Sequence, residues 1–74
     1  MAFENVEMYQ VTSSNVAAFG FDQEDEAIYV QFNNGYIYWY KAPYDVYEQM
    51  MMAESKGRFI HTDLKGIYEY GRLI

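Results

Sequence analysis

Four side chains that can carry positive charge fall within ten residues of the C-terminal half: Lys56, Arg58, His61 and Lys65. Ammonium, guanidinium and imidazolium groups form charge-assisted hydrogen bonds with phosphate oxygens, and such contacts dominate the affinity of many proteins for nucleic acids. The run therefore predicts a surface patch that contacts phosphate. The alternative is a set of solvated charges that pair with neighbouring carboxylates, which is common on protein surfaces.

Aromatic residues are the second feature with binding chemistry, since the 74 residues include nine Tyr, five Phe and one Trp. If Trp39 and Tyr29 are exposed on a sheet, their rings can stack on nucleobases. The alternative is that the N-terminal segment or a second copy of the chain covers them, because an exposed apolar patch often marks a protein interface. The candidate ligand-binding residues are therefore Trp39, Tyr29, Lys56, Arg58, His61 and Lys65.

Catalytic and metal-binding motifs are weak in this sequence. Ser55, His61 and Asp63 supply the residue types of a hydrolase triad, but no nucleophile elbow surrounds the serine. The acidic run DQEDE at residues 22–26 lacks the ligand spacing and the glycine of a calcium-binding loop, and no cysteine is present to bind zinc. We therefore expect a protein that is not an enzyme and that uses no metal or cofactor.

The acidic side chains are unevenly distributed. Net charge is −6, and residues 1–26 contain six acidic side chains and no basic one. Such a charge repels a phosphate backbone, so contact with nucleic acid would depend on a local basic patch. No apolar run approaches the length of a membrane-spanning helix, and the N-terminus lacks the pattern of a signal peptide. We expect a soluble, cytoplasmic protein with no membrane partner.

The elements that must position these side chains are those of an α+β domain. Apolar residues bounded by turn signals predict strands over 16–21, 27–32 and 36–40, and Pro43 suits the start of a helix. The expected fold is a three-stranded antiparallel meander packed by one main helix and by a short C-terminal helical or irregular segment. Residues 1–10 form an N-terminal strand or tail, and residues 11–74 form a single domain.

The turn at residues 33–35 decides which aromatic side chains face the core. If the turn has two residues, Val30 lies opposite Trp39, and if it has three, Val30 lies opposite Tyr38. A slip of one residue exchanges the two faces of a strand, so the alternatives place Trp39 on opposite sides of the sheet. The residue pattern alone leaves both open.

The order of several short motifs resembles the KTSC family, a small domain named for its occurrence at the C-terminus of some lysyl-tRNA synthetases. The resemblance covers residues 11–68 and rests on Ser13-Ser14-Asn15, Tyr38-x-Tyr40, Pro43 with Val46-Tyr47, and Ser55-x-Gly57-x-Phe59. It implies a bacterial or phage domain with a suspected role in binding RNA and with no catalytic residue. It also implies that Tyr38 and Tyr40 point inward and Trp39 outward, which favours the three-residue turn.

The function expected from these observations is non-catalytic binding of RNA or a nucleotide through an aromatic sheet face and the C-terminal basic residues. The alternative is an acidic protein–protein interaction module, such as a phage-encoded inhibitor or a nucleotide-sequestering homo-oligomer. The two differ in geometry. Basic residues that converge on the aromatic face favour a phosphorylated ligand, whereas dispersed basic residues favour a protein partner.

Overall fold

The sheet has five antiparallel strands rather than the predicted three. A computed structural model describes residues 6–74, and its strands lie in the order of the chain, each beside the next. They are β1 (Tyr9–Gln10), β2 (Val16–Asp22), β3 (Ala27–Phe32), β4 (Ile37–Lys41) and β5 (Tyr70–Arg72). The three predicted strands are the central ones, and the α+β class is confirmed.

The two additional strands are the edges of the sheet. β1 has two residues and β5 has three. Neither is long enough to show the period-two alternation of apolar and polar residues that identifies a strand in a sequence. Short strands of this kind are common at sheet edges, where a long unpaired edge would invite association with another chain.

The predicted main helix is confirmed as α1 (Tyr44–Met52), and Pro43 precedes its first turn. A short helix, α2 (Lys56–Phe59), begins after Ser55, whose Oγ accepts a hydrogen bond from the Arg58 backbone N–H. It continues into a single π-helical turn at Ile60–Leu64. Within residues 6–74, none of these helices is long and apolar enough to cross a membrane.

The hairpin between β3 and β4 has the three-residue turn, as the family resemblance implied. Val30 pairs with Tyr38 across the strands, and the Phe32 N–H donates to the Tyr36 carbonyl at 2.8 Å. Gly35 in the turn has φ +93°, a backbone conformation that favours glycine. This register sends Tyr38 and Tyr40 toward the helices and Trp39 to the opposite face.

The sheet separates a large core from a small one. The large core lies between the sheet and the helices, and its buried members include Phe19, Val30, Tyr40, Met50 and Leu64. The small core lies on the outer face and consists of Ala27, Tyr29 and Ile37, against which Val6, Met8 and Trp39 pack.

The N-terminal segment covers part of the outer face. A Cβ atom added at Gly20 would overlap the Glu7 carbonyl oxygen and would come within 2.9 Å of a Val6 methyl group. Gly20 is therefore a site of close approach between two stretches of backbone. The prediction of a strand or tail over residues 1–10 is resolved as strand for β1, and residues 1–5 lie outside the described part.

Candidate functional site

A groove opens on the helix side of the sheet, between strands β4 and β5 and the segment formed by α2 and the π-helical turn. Four tyrosines line its sheet wall, and two groups that can contact phosphate line its helical wall: Tyr36, Tyr38, Tyr40 and Tyr70, with His61 and Lys65. We call this the tyrosine groove. Its volume is about 370 Å³, which falls within the usual range of ligand pockets, although the groove is open to solvent.

The strand register places the tyrosines side by side. Side chains along a strand alternate between the two faces of the sheet, so every second residue lies on the same face. Tyr36, Tyr38 and Tyr40 therefore all lie on the helix side. Tyr70 of β5 pairs directly with Tyr40, and their rings stack with centroids 5.7 Å apart. The Tyr38 ring lies 6.4 Å from the Tyr70 ring and extends this aromatic wall.

The residues of the helical wall face the groove because they are spaced about one helical turn apart. Gly57, His61 and Lys65 follow one another at intervals of four residues and all line the groove. The π-helical turn closes with a hydrogen bond of 2.8 Å from the Lys65 N–H to the Ile60 carbonyl. Single π-helical turns occur frequently at functional sites.

One end of the groove is built by two loops that hydrogen-bond to each other. Ser13 Oγ accepts from the Val16 N–H, which shapes the loop that carries Asn15. The Asn33 N–H donates to the Asn15 carbonyl at 2.8 Å, so the hairpin turn is fixed beside this loop. Asn15 and Asn34 both line the groove and add amide groups to its wall.

The charge around the groove differs from that of the chain as a whole. Among the described residues that line it, none is acidic, although the chain has eleven acidic residues. The Arg72 guanidinium lies 4.7 Å from the centroid of the Tyr36 ring, in a cation–π contact at the groove margin. Arg72, His61 and Lys65 therefore surround the tyrosines with groups suited to anions.

Burial perturbs one tyrosine at the base of the groove. The pKa of Tyr40 is raised to about 12, first by burial and then by the neighbouring Tyr38 and Tyr70. Removing its proton would place a negative charge where water cannot solvate it well. Tyr40 therefore keeps its proton well into the alkaline pH range.

Of the four residues in the predicted basic patch, the structure brings only His61 and Lys65 to the tyrosine groove. The Lys56 ammonium donates to the Met51 carbonyl at 3.0 Å, where it satisfies the end of α1. Arg58 is exposed on another face of α2, in a hollow that it shares with Ser55 and Asp63.

The predicted aromatic platform is also corrected. Tyr29 and Trp39 lie on the outer face of the sheet, opposite the tyrosine groove. Tyr29 is fully buried, so the prediction that its ring is free to stack on a ligand is wrong. Trp39 is half-buried, and its indole lies over Gly71 of β5. The expectation that the N-terminal segment covers this face describes the structure better.

Sequence reasoning missed Tyr70 as a site residue and left Arg72 out of the candidate ligand-binding residues. Both belong to β5, which is too short to identify by pattern. The family resemblance favoured the three-residue turn and thereby placed Tyr38 and Tyr40 toward the helices, as the structure has them. The sequence did not show that the helical segment leaves Tyr36 exposed and Tyr38 half-exposed while it buries Tyr40.

Comparison with known proteins identifies the family. The KTSC domain model matches residues 12–68. A protein from Tsukamurella paurometabola is 34% identical over 59 residues, which are 78% of this chain and 88% of that protein. A lysine–tRNA ligase from Nostoc sp. is 31% identical over 61 residues, which are 81% of this chain but 11% of the ligase.

A solved structure has the same fold. The crystal structure of a KTSC domain protein from Yersinia pestis superimposes with a TM-score of 0.84 at 28% sequence identity, over 93% of this chain and 99% of that one. The agreement therefore extends beyond the matched motifs to nearly the whole architecture. The chain belongs to the KTSC domain family.

Proposed function

We propose that this protein is a non-catalytic module that binds single-stranded RNA, one nucleotide of which enters the tyrosine groove. The observation that carries the proposal is the meeting of His61 and Lys65 with the exposed Tyr36 and the half-exposed Tyr38 in one groove. A nucleotide needs an aromatic surface for its base and cationic or amide donors for its phosphate, and this groove offers both.

Each wall has a separate role. The Tyr36 and Tyr38 rings stack on the base, a contact that is worth about 1–3 kcal/mol per base in single-strand binding proteins. Lys65 and Arg72 contact the phosphate groups on either side, since an ammonium acts as a mobile point charge and a guanidinium as a planar fork. His61 adds a further ring nitrogen to the same wall.

The distribution of charge supports an anionic ligand at this groove rather than elsewhere. A chain of net charge −6 repels RNA at long range, so a stretch of surface without carboxylates is needed for contact. The tyrosine groove is such a stretch. We expect weak affinity, with a dissociation constant on the order of 10⁻⁴ to 10⁻⁶ M, because few phosphates can be contacted.

Similarity to a segment of a lysine–tRNA ligase adds support, because the name of that protein says that it acts on an RNA.

The arrangement of Ser55, His61 and Asp63 supports a non-catalytic role. Ser55 and Asp63 line a hollow on one side of α2, whereas His61 lines the tyrosine groove. A hydrolytic triad would require the three side chains to converge.

The test is titration of a fluorescently labelled single-stranded RNA of about ten nucleotides with the protein at several salt concentrations. Lys65→Ala should weaken binding and reduce the slope of log K against log salt by about 0.7, the value expected for one contact with a single-stranded phosphate. Arg58→Ala is the matched control, because it removes the same charge from a residue outside the groove.

Equal losses in Lys65→Ala and Arg58→Ala would show that RNA senses only the overall charge, and they would refute the groove as the site. A Tyr36→Ala variant tests the stacking contact and should weaken binding without changing the salt slope. If mononucleotides compete at the same concentrations as RNA, the ligand is the free nucleotide and the groove remains its site.

A further inference from the structure

A second groove lies between α1 and strands β1 and β2, away from the tyrosine groove. Its wall includes three aromatic side chains and one carboxylate that bear on ligand chemistry: Tyr9, Phe21, Tyr44 and Glu7. We call it the acidic groove. Tyr9 and Tyr44 are each about half exposed, at 52% and 47% of their full surface, so their rings are open to a partner.

The aromatic rings form a contiguous surface. Phe21 lies between two tyrosines of α1, with its centroid 5.4 Å from the Tyr44 ring and 5.4 Å from the Tyr47 ring. Tyr47 is itself packed edge-on against Phe19 in the core. The core therefore holds these rings in place. A cation can bind over the faces of such rigid rings at low conformational cost.

Glu7 is fixed at the rim of these rings. The Tyr9 hydroxyl donates a hydrogen bond to Glu7 Oε1, which holds the carboxylate beside the aromatic surface. This hydrogen bond is also the main reason that the pKa of Tyr9 is raised. A carboxylate next to exposed aromatic faces is the combination that attracts ammonium and guanidinium groups.

The chain already places one of its own cations in this groove. The Lys56 ammonium lies 5.9 Å from the centroid of the Phe19 ring and donates to the Met51 carbonyl. Its charge is thus directed to the backbone carbonyls at the end of α1. Among the described residues that line the groove, Lys56 is the only base, so the end at Glu7 and Tyr44 is left with an acidic group and open rings.

The surroundings reinforce this polarity. Phe21 and Tyr44 also border a shallow hollow that contains Glu26, at the end of the acidic turn 22–26. Asp45 in the first turn of α1 adds another carboxylate to the exposed surface near Tyr44. The aromatic rings therefore lie inside a region of negative charge, which complements a positively charged partner.

We propose that the acidic groove binds a lysine- or arginine-bearing segment of a partner protein, with a cationic side chain over the Phe21 and Tyr44 rings and against Glu7. This surface is separate from the tyrosine groove, so the protein would have one face for an anionic ligand and another for a cationic one. The inference does not depend on RNA binding.

The experiment is a titration of the isotopically labelled protein with capped hexa-lysine and hexa-arginine peptides, followed by NMR. The expected result is a set of chemical-shift changes at Glu7, Tyr9, Phe21 and Tyr44. Glu7→Gln should weaken binding at least about threefold, whereas Glu24→Gln should not. The two variants change the net charge equally, but Glu24 does not line the groove.

The ring contact is tested separately. Tyr44→Ala should weaken peptide binding and Tyr44→Phe should retain it, because only the first removes the aromatic face. Equal weakening by Glu7→Gln and Glu24→Gln, or no effect of Tyr44→Ala, would overturn the proposal and indicate attraction to net charge alone. Lys65→Ala should leave peptide binding unchanged, so failure of this proposal is distinguishable from failure of the RNA proposal.

Discussion

The indole of Trp39 lies directly over Gly71, its partner on β5. A Cβ atom added at position 71 would come within 2.6 Å of Cζ2 of the indole, well inside van der Waals contact. The only tryptophan of the chain therefore covers an edge strand at a residue with no side chain of its own. This contact explains why Trp39 is half-buried although it points away from the helices.

Gly71→Ala should destabilise the protein by about 1–3 kcal/mol, the usual cost of adding a methyl group to a close-packed site. The indole has to move because the new methyl group occupies its place. Urea denaturation measures the loss, and the native-state emission of Trp39 should shift to longer wavelength as the ring becomes more solvated.

Gly57→Ala is the matched control for this substitution. A Cβ at position 57 would meet Asn15 at 3.5 Å, an ordinary contact, and alanine is favoured over glycine inside a helix. We expect unchanged or slightly greater stability and an unchanged emission spectrum. A loss of stability in Gly57→Ala as large as that in Gly71→Ala would contradict the assignment of strain to the Trp39 contact.

Gly20→Ala should displace the N-terminal segment from the outer face. The new methyl group would overlap the Glu7 carbonyl oxygen, and backbone cannot rotate away as a side chain can. Amide hydrogen exchange should increase over residues 6–10, and iodide should quench Trp39 more strongly. Normal protection of these amides in the variant would show that the segment adapts in place.

The same displacement links the outer face to the acidic groove. Glu7 contributes its backbone to the cover over Gly20 and its carboxylate to the acidic groove. Gly20→Ala should therefore also weaken the binding of oligolysine, although position 20 faces the opposite side of the sheet from the acidic groove. Retained peptide binding together with increased exchange at residues 6–10 would separate the two roles of Glu7.

The sequence predicted the central hairpin and its turn at residues 33–35, because turn residues and strand residues are local signals. The register of the hairpin was left open by the residue pattern, and only the family resemblance favoured the three-residue turn that the structure has. A glycine inside a predicted strand, as at position 20, indicates either a bulge or a close approach of another stretch of backbone. The structure shows close approach, because the backbone of Glu7 lies against Gly20. The shift in register between β2 and β3 lies elsewhere, between Val16 and Ala18.

The site was harder to predict because it depends on tertiary placement. The clustering of the basic residues within ten positions gave no indication that the Lys56 side chain would turn to the end of α1 while His61 and Lys65 line the tyrosine groove. That division follows from where α2 packs, which is set by the core contacts of Phe59 and Leu64. Residues that share a stretch of sequence thus reach three different surfaces.

Arg72→Lys distinguishes two contributions of Arg72 to RNA binding. Lysine keeps the positive charge but loses the planar guanidinium that lies over the Tyr36 ring. We expect weaker binding of single-stranded RNA with an unchanged salt slope, whereas Arg72→Ala should lower both the affinity and the slope. Wild-type affinity in Arg72→Lys would indicate that the guanidinium contact with Tyr36 has no part in binding.

Alkaline pH should destabilise the protein through its buried tyrosines. An unfolded tyrosine has a pKa of about 10, whereas burial, with smaller effects of Tyr38 and Tyr70, raises the pKa of Tyr40 to about 12. Well below pH 10, Tyr40 keeps its proton in both the folded and the unfolded state, so it adds no pH dependence to the free energy of unfolding. Between about pH 10 and 12 the unfolded state loses the proton first, so the free energy of unfolding falls.

Tyr40→Phe removes this group from the titration and should make the fall in the free energy of unfolding above pH 10 less steep. Burial raises the pKa of Tyr47 as well, so the double variant with Tyr47→Phe should be less steep again. Urea denaturation at a series of pH values gives the slope, which is independent of any constant change in stability caused by the lost hydroxyl. An identical slope in Tyr40→Phe would mean that Tyr40 releases its proton as readily in the folded chain as in the unfolded one, and that water reaches the base of the tyrosine groove.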